Sequence, residues 1–511
     1  MVNLNKSKRL VIIMALSLFA GLFFIQKTNL MTSDLGRHLK NGEIILASRQ
    51  PVTTNLYSYT HPNYPFIAHH WGFGILAFSI YKLGGFNGLT IFNAVVFFLT
   101  IILILNYSSK RVGLTYTLLG FFLTLPLLTY RTEIRPETIS ALFIILTLLI
   151  LTNTMRLPYK ITLIFLLQMF WVNIHVFFVF GLLLSVTYLL TQLANRNYGG
   201  ARLTSIILMV QTIASFVNPY GLKGALYPLH IFTDYGYRIV ENQTPFLLLK
   251  VIPSPIYYYL LAIGAAAILS IVFSIKSSIK NDLLITLVSI VFLVGSLKMV
   301  RLIPYFGIFA LLSLSYCLYI LNLKYGDFLK RLLNKPLILI SQGGVGFIVA
   351  FVLISSNLYN PFTNFGVGLM PGISKSADFF KENNLQGPIF NNYDAGGYLI
   401  FYLYPGQKVF VDNRPEAYPS SFFKTEYVSM QENEAVWEKL NDRYNFNVIY
   451  FYRHDYTPWA QPFLISRLKD PTWVPVYVDD YALILVKLNQ QNADLISKNP
   501  FFNSIDLRNN L

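Results

Sequence analysis

Long apolar runs, repeated almost from end to end, constrain this chain more than any other feature. A helix crossing a bilayer needs about 20 apolar residues, with a range of roughly 17–25. Leu10–Ile25 opens the series, followed by Gly88–Asn106, Leu114–Thr129, Thr138–Leu151, Ser205–Val217, Ile256–Ile275, Leu283–Leu297, Leu302–Leu321 and Leu337–Ser355. Ile161–Leu193 is too long for one helix and is interrupted by WVNIH, Trp171 to His175, where two helices are expected to meet. Trp71–Leu83 is brief and lies between His-rich and Gly-rich sequence, which suits a juxtamembrane helix outside the bilayer. The expectation is therefore a polytopic α-helical membrane protein of about eleven spans.

Composition agrees. Only 13% of the 511 residues are charged and 54% are hydrophobic, where soluble domains carry about 25% charged residues. The formal charge of +16 is spread among apolar runs with no basic stripe, so nucleic acid is not an expected partner. Positive-inside loop bias accounts for the surplus. With the N-terminus in the cytoplasm, eleven spans place Lys110/Arg111, Arg156/Lys160, Arg196/Arg202, Lys276/Lys280 and Lys324/Lys330/Arg331/Lys335 inside. Counting Trp71–Leu83 as a span would invert every later loop. The same topology puts all seven histidines outside, along with most of the acidic residues before residue 360. The chemistry-capable face is the outer one. The single cysteine, Cys317, excludes disulfides within the chain and any Cys-rich metal site. The N-terminal MVNLNKSKR resembles a signal-peptide n-region, but without a small-residue cleavage site an uncleaved first helix is expected.

From about Gly372 the pattern changes to short apolar strands separated by amphipathic helices, the sign of a compact α/β domain. The segments Asp378–Asn384, Pro388–Asn391, Lys408–Asp412, Glu434–Arg443, Asn447–Tyr452, Pro462–Lys469 and Trp473–Val486 carry these helix-like and strand-like patterns, with Lys408–Asp412 an expected strand. An odd number of spans places this domain outside the membrane. The expected division is a transmembrane domain over 1–360 with a long first outer loop at 27–87, an extracytoplasmic domain over 370–490, and a tail over 491–511.

Several short stretches carry groups able to do chemistry. In SDLGRHLKNGEII, Ser33 to Ile45, Asp34 at the mouth of a membrane domain has two readings. It is a general base or metal ligand, or it caps the helix that follows, since Asp is a favoured N-cap. His69 and His70 beside Trp71 are candidates for a metal ion or a phosphate, or form an interfacial anchor. In YRTEIRPET, Glu133 and Glu137 share a face if the segment is helical, and Pro136 suits the first turn of the next helix. An Arg–Glu network closing the loop competes there with ligand binding. Asn173 and His175 interrupt an apolar run, where polar groups are costly and tend to be functional. Lys298 and Arg301 flank the outer end of a span and suit a lipid-linked phosphate or simple snorkelling. In NNYDAGGYL the glycine pair after Asp394 permits close backbone approach. In VFVDNRPEAY, Asp412, Arg414 and Glu416 end an expected strand, either as acceptor-binding groups or as an internal network fixing the loop.

In this order SDLGRHL, HHWGFG, YRTEIRPET and WVNIH resemble the GT-C class of membrane glycosyltransferases, which includes protein mannosyltransferases, the lipid A aminoarabinose transferase and oligosaccharyltransferase catalytic subunits. NYDAGGYL with VFVDNRPEAY resembles the outer domain of bacterial GT-C-like proteins. The resemblance spans nearly the whole chain. It implies inverting transfer of a sugar from a polyprenyl-phosphate donor to an extracytoplasmic glycan, lipid or protein acceptor at the cytoplasmic (inner) membrane. Asp34 would be the general base, and Arg37, Lys298 and Arg301 would stabilise the leaving phosphate. His69, His70, Glu133 and His175 would hold a divalent cation (Mg or Mn) or orient the phosphate. The chain has no Asp-x-Asp beside Asp34 and no second one, so the cation stays an open part of the reading. The alternative is a non-enzymatic transporter of lipid-linked glycans or an envelope assembly scaffold. A transporter would carry paired repeats and broken helices near the midplane, and neither is evident.

Overall fold

In hydrocarbon every backbone N–H and C=O must be paired within the segment, which makes uncharged apolar runs helical. The computed structural model describes residues 6–232, 235–276, 282–332 and 364–498. Within them the expected runs fall on helices Lys6–Leu22, Leu114–Leu128, Pro136–Thr152, Leu157–Ile174, Val179–Ala194, Tyr198–Ser215, Pro255–Lys276, Leu283–Lys298 and Ile303–Leu332. The expected span Leu337–Ser355 lies outside the described residues. Trp71–Leu83 and Gly88–Asn106 join as one 42-residue helix, Trp71–Val112, broken at Gly85, whose φ of 59° only glycine adopts readily. Five described helices are long and apolar enough to cross a membrane: Trp71–Val112, Leu157–Ile174, Val176–Ala194, Pro255–Val272 and Val300–Tyr325. Leu114–Leu128, Pro136–Thr152 and Leu283–Lys298 are shorter apolar helices.

The chain forms two compact units, and they do not follow the linear division expected near residue 360. One gathers Met1–Gln26, Thr90–Pro228 and Ile239–Val367, and the other gathers Lys27–Leu89, Leu229–Arg238 and Gly368–Leu511. The first outer loop thus folds with the C-terminal α/β part.

In the helical unit the long run does break at WVNIH. His175 adopts φ −156°, ψ 142°, ending one helix before a short 3₁₀ turn starts the next. The neighbouring helices carry a buried amide network that the apolar pattern conceals. Gln168 Nε2 donates to Ser215 Oγ at 3.0 Å and to the Phe178 carbonyl at 3.2 Å, while Ser185 donates to Gln211 Oε1 at 2.5 Å. Buried polar groups survive only when so paired.

In the second unit four strands, β1 (Ile389–Asn391), β2 (Val448–Tyr452), β3 (Trp473–Val478) and β4 (Ala482–Lys487), form one sheet in the order β1-β2-β4-β3. β1 pairs parallel with β2, and the other pairings are antiparallel. The expected strand Lys408–Asp412 is a correction: it is not in the sheet. Its Val409 instead exchanges backbone hydrogen bonds with Tyr57 and Tyr59 of the first outer loop, at 3.0 and 3.2 Å.

Glycines set how closely the helices of this unit approach. A Cβ on Gly42 would lie 2.1 Å from the Gly74 carbonyl oxygen, so the Leu35–Ser48 helix meets the helix beginning at Trp71 backbone to backbone. A Cβ on Gly36 would lie 2.5 Å from the Gly397 carbonyl oxygen, in the Gly396–Leu403 helix. Gly36 and Gly42 thus mark close backbone approach to Gly397 and Gly74, and a side chain at either would run into backbone.

Candidate functional site

In the second unit the opening carboxylate is held from the side. Asp34 stands at the N-cap position of Leu35–Ser48, yet its side chain makes no capping hydrogen bond. Ser33 Oγ accepts from the Leu35 amide instead, at 3.1 Å. Asp34 Oδ1 accepts from Asn413 Nδ2 at 2.5 Å and lies 3.9 Å from Arg37 Nη2, with 29% of the side chain exposed. Arg37 is only 5% exposed and its Nε donates to Asn413 Oδ1 at 3.1 Å. Arg37 is thus buried and hydrogen-bonded to Asn413, one helical turn after Asp34.

Behind Asn413 stands a buried ion pair. Asp412 and Arg414 are both 0% exposed, and Arg414 Nε and Nη2 donate to the two Asp412 oxygens at 2.7 Å each. Arg414 Nη2 also donates to Asn55 Oδ1 at 2.6 Å, and Tyr418 donates to Asp412 Oδ2 at 2.9 Å. The guanidinium is stacked against Tyr57 and Phe66, 4.8 and 4.7 Å from their ring centres. This is the loop network expected as one reading of VFVDNRPEAY. Glu416 is partly buried, and its carboxyl is raised by that burial and lowered by Arg37. Asp394 is also half-buried, in the turn before the glycine pair.

His38 is buried, with its ring 5.3 Å from that of His70, which lies 3.9 Å from that of His69. His69 Nδ1 meets the Ile67 carbonyl at 3.2 Å. Among the described residues no three His, Cys, Asp or Glu side chains gather as a metal-binding set. No step below passes through a cation.

In the helical unit YRTEIRPET organises a second cluster. Residues 131–135 are not helical; the helix starts at Pro136. Glu133 and Glu137 are therefore not on one helical face, and Glu133 is 55% exposed while Glu137 is 12% exposed. Arg301 Nη2 donates to Glu137 Oε1 at 2.8 Å, and its Nη1 donates to Asn242 Oδ1 at 3.1 Å. Glu241 Oε1 takes Arg131 Nη2 at 2.8 Å and Arg135 Nη1 at 2.6 Å. Burial raises the Glu241 carboxyl, but Arg131, Arg135 and Arg301 bring it down to about 2. Two cationic N–H groups, Arg131 Nη1 and Arg301 Nε, are buried with no acceptor among the described residues. Both arginines line a pocket whose other walls include the apolar Phe24, Phe97, Leu128 and Pro304 and the carboxylates Glu133 and Glu137.

Lys298, Asn173 and His175 do not line that pocket, though His175 acts electrostatically on Glu137. Lys298 is exposed. Asn173 donates to the Met169 and Val217 carbonyls at 2.7 and 2.8 Å, tying helix ends together. His175 is fully buried with Nδ1 at 2.8 Å from Ser140 Oγ, which also accepts from Trp171 Nε1 at 2.8 Å. Asn413, Asn55, Arg131, Arg135, Glu241 and Asn242 are not among the sequence candidates. Arg131, Arg135 and Asn413 stand inside stretches that are, but Asn55 and Asn242 carry no local signal.

No protein-family model and no curated protein matches the chain by sequence. Solved structures match it by shape. The archaeal oligosaccharyltransferase AglB from Archaeoglobus fulgidus, solved with an inhibitory peptide and a dolichol-phosphate, is 9% identical with a TM-score of 0.58, over 92% of this chain and 73% of that one. ArnT from Cupriavidus metallidurans is 13% identical in the apo state, with a TM-score of 0.55 over 95% of this chain and 98% of that one. Its undecaprenyl phosphate-bound form is also 13% identical, with a TM-score of 0.51 and coverage of 95% and 99%. The match to ArnT covers nearly all of both chains. This chain shares its fold with these oligosaccharyltransferase and ArnT structures.

Proposed function

We propose that this protein is a membrane glycosyltransferase that moves a sugar from a polyprenyl-phosphate donor to an extracytoplasmic acceptor hydroxyl. The acceptor oxygen attacks the anomeric carbon with inversion, the carbon–oxygen bond to phosphate breaks, and polyprenyl phosphate departs with the electron pair. Asp34 takes the proton from the acceptor hydroxyl. Arg301 and Arg131, in the helical unit, are the candidates for binding the phosphate of the donor.

The observation that carries this reading is the Arg131/Arg301 pocket. Buried cationic donors without acceptors are costly, and here they stand beside an apolar wall. A phosphate on a hydrocarbon chain satisfies both. Likeness of fold to ArnT, one structure of which holds undecaprenyl phosphate, supports the same ligand class. Removing Arg301 should weaken binding of polyprenyl phosphate about 10–100-fold, because a hydrogen bond to a charged group is worth about 1.5–3 kcal/mol. Titration of purified wild-type and Arg301→Ala protein in lipid with polyprenyl phosphate reads this directly. Equal affinity in a folded variant would remove the phosphate from this pocket.

The orientation belongs to the same proposal: eleven spans, N-terminus in the cytoplasm, the 370–490 domain outside. Single cysteines at Lys110 and Asn433 should then label from opposite faces of intact cells. Labelling from the same face would overturn it.

A further inference from the structure

We propose that Asn413 is the positioning residue for Asp34, supplied by the C-terminal α/β part to the carboxylate of the first outer loop. This inference rests on the reading of Asp34 as the base. Asn413 stands between two charged groups with opposite requirements. An ionised carboxylate only accepts hydrogen bonds, and Arg Nε only donates. The bridging side chain must present a donor to Asp34 and an acceptor to Arg37 at once. An amide does both: Nδ2 reaches Asp34 Oδ1 at 2.5 Å and Oδ1 receives Arg37 Nε at 3.1 Å. The two partners also fix which way the amide is turned, since the flipped orientation would set an oxygen against the carboxylate. A carboxylate at this position would repel Asp34, and a cation would repel Arg37.

The surroundings explain how one asparagine is aimed so firmly. Its neighbours on both sides, Asp412 and Arg414, are buried together, while Asn413 turns the other way toward Asp34. The chain bends at Asn413, between its two buried neighbours. A buried ion pair is weak evidence for stability but a good device for fixing one arrangement. Glycines complete the seat: a Cβ on Gly396 would lie 2.4 Å from the Asp412 Cα, and one on Gly397 would lie 3.1 Å from Asn413 Nδ2. The buried pair and the glycine pair hold the loop; the amide transmits its position to one oxygen of Asp34. The direction of the second oxygen follows from the first.

The test uses full-length protein in lipid, with polyprenyl-phosphate sugars from a bacterial lipid extract as donor and release of polyprenyl phosphate as readout. Misplacing a reacting group by about 1 Å costs about 10²-fold. Asn413→Ala should therefore lower kcat about 100-fold while KM for the donor and affinity for polyprenyl phosphate stay within about twofold. Asn413→Asp, equal in size, should do at least as much harm. In an Asp34→Asn background, Asn413→Ala should add nothing, because its effect is exerted through Asp34. Should Asn413→Ala lower the folded yield, the isosteric Asn413→Asp variant, with its unfolding temperature measured, decides alone. Wild-type kcat in either folded variant overturns the positioning role. So does a loss that multiplies with that of Asp34→Asn. Normal turnover by Asp34→Asn itself overturns the base assignment, and the positioning role with it.

Discussion

Replacing Asp34 with asparagine should reduce sugar transfer by about 10²–10⁴ while leaving the protein folded, since general-base catalysis is typically worth that factor. The two readings of Asp34 differ sharply in what they predict. A cap lost to Ala costs only about 0.5–2 kcal/mol, and Asn caps about as well as Asp. The carboxylate makes no bond to the helix amides, and Ser33 Oγ serves Leu35 instead. The substituted amide would still offer an oxygen to Asn413 Nδ2 in the same place. What it loses is basicity. Turnover, unfolding temperature and polyprenyl phosphate affinity of the purified variant should therefore separate, with only the first collapsing. Near-normal turnover would send the search for a base elsewhere, with exposed Glu133 the first alternative.

Arg414→Ala should do the opposite: destabilise the protein by about 3–5 kcal/mol, the usual cost of breaking a buried ion pair from one side. Asp412 would be left as a buried anion with Tyr418 as its remaining side-chain donor, and Asn55 would lose its guanidinium partner. Stacking on Tyr57 and Phe66 would go as well. The loss should appear as a lowered unfolding temperature and folded yield, with transfer falling in proportion. Removing both charges together should be milder than removing Arg414 alone. An Arg414→Ala protein of normal stability that fails to bind donor would contradict this and make Arg414 a ligand-binding residue.

Much of the fold is legible in sequence because hydrocarbon leaves an apolar run one solution, the helix. The break at WVNIH is readable for the same reason: Asn173 and His175 do not suit an uninterrupted apolar span. In the alternating part after Gly372 the succession of helix-like and strand-like segments is legible, but the Gly396–Leu403 helix is not singled out, and Trp473–Val486 reads as one segment where the sheet has two strands, β3 and β4. Lys408–Asp412 misleads because its apolar pattern is strand-like while its partner, the Tyr57–Tyr59 stretch, is far away in sequence. The site shows the same limit. Asp34 and Arg37 are three residues apart and stand out together, but the residue joining them is 379 positions beyond Asp34. Only folding shows that one asparagine of VFVDNRPEAY faces the carboxylate while its charged neighbours face the interior. Charge is equally hard to read from sequence. Arg37 has the look of an open cation, yet it is committed to Asn413, while Arg131, inside a loop rich in its own counter-charges, has a donor to spare.

The central claim is transfer from a polyprenyl-phosphate donor, and the most direct measurement follows that donor. Purified wild-type and Asp34→Asn protein in lipid would be incubated with polyprenyl-phosphate sugars and an envelope extract as the acceptor source, and the lipids read by mass spectrometry. The account predicts that wild-type protein converts one sugar-bearing lipid to free polyprenyl phosphate, with the sugar recovered on an acceptor, and that Asp34→Asn does so at least about 100-fold more slowly. Tight binding of the donor by both proteins with no conversion by either would contradict it and favour a transporter or scaffold.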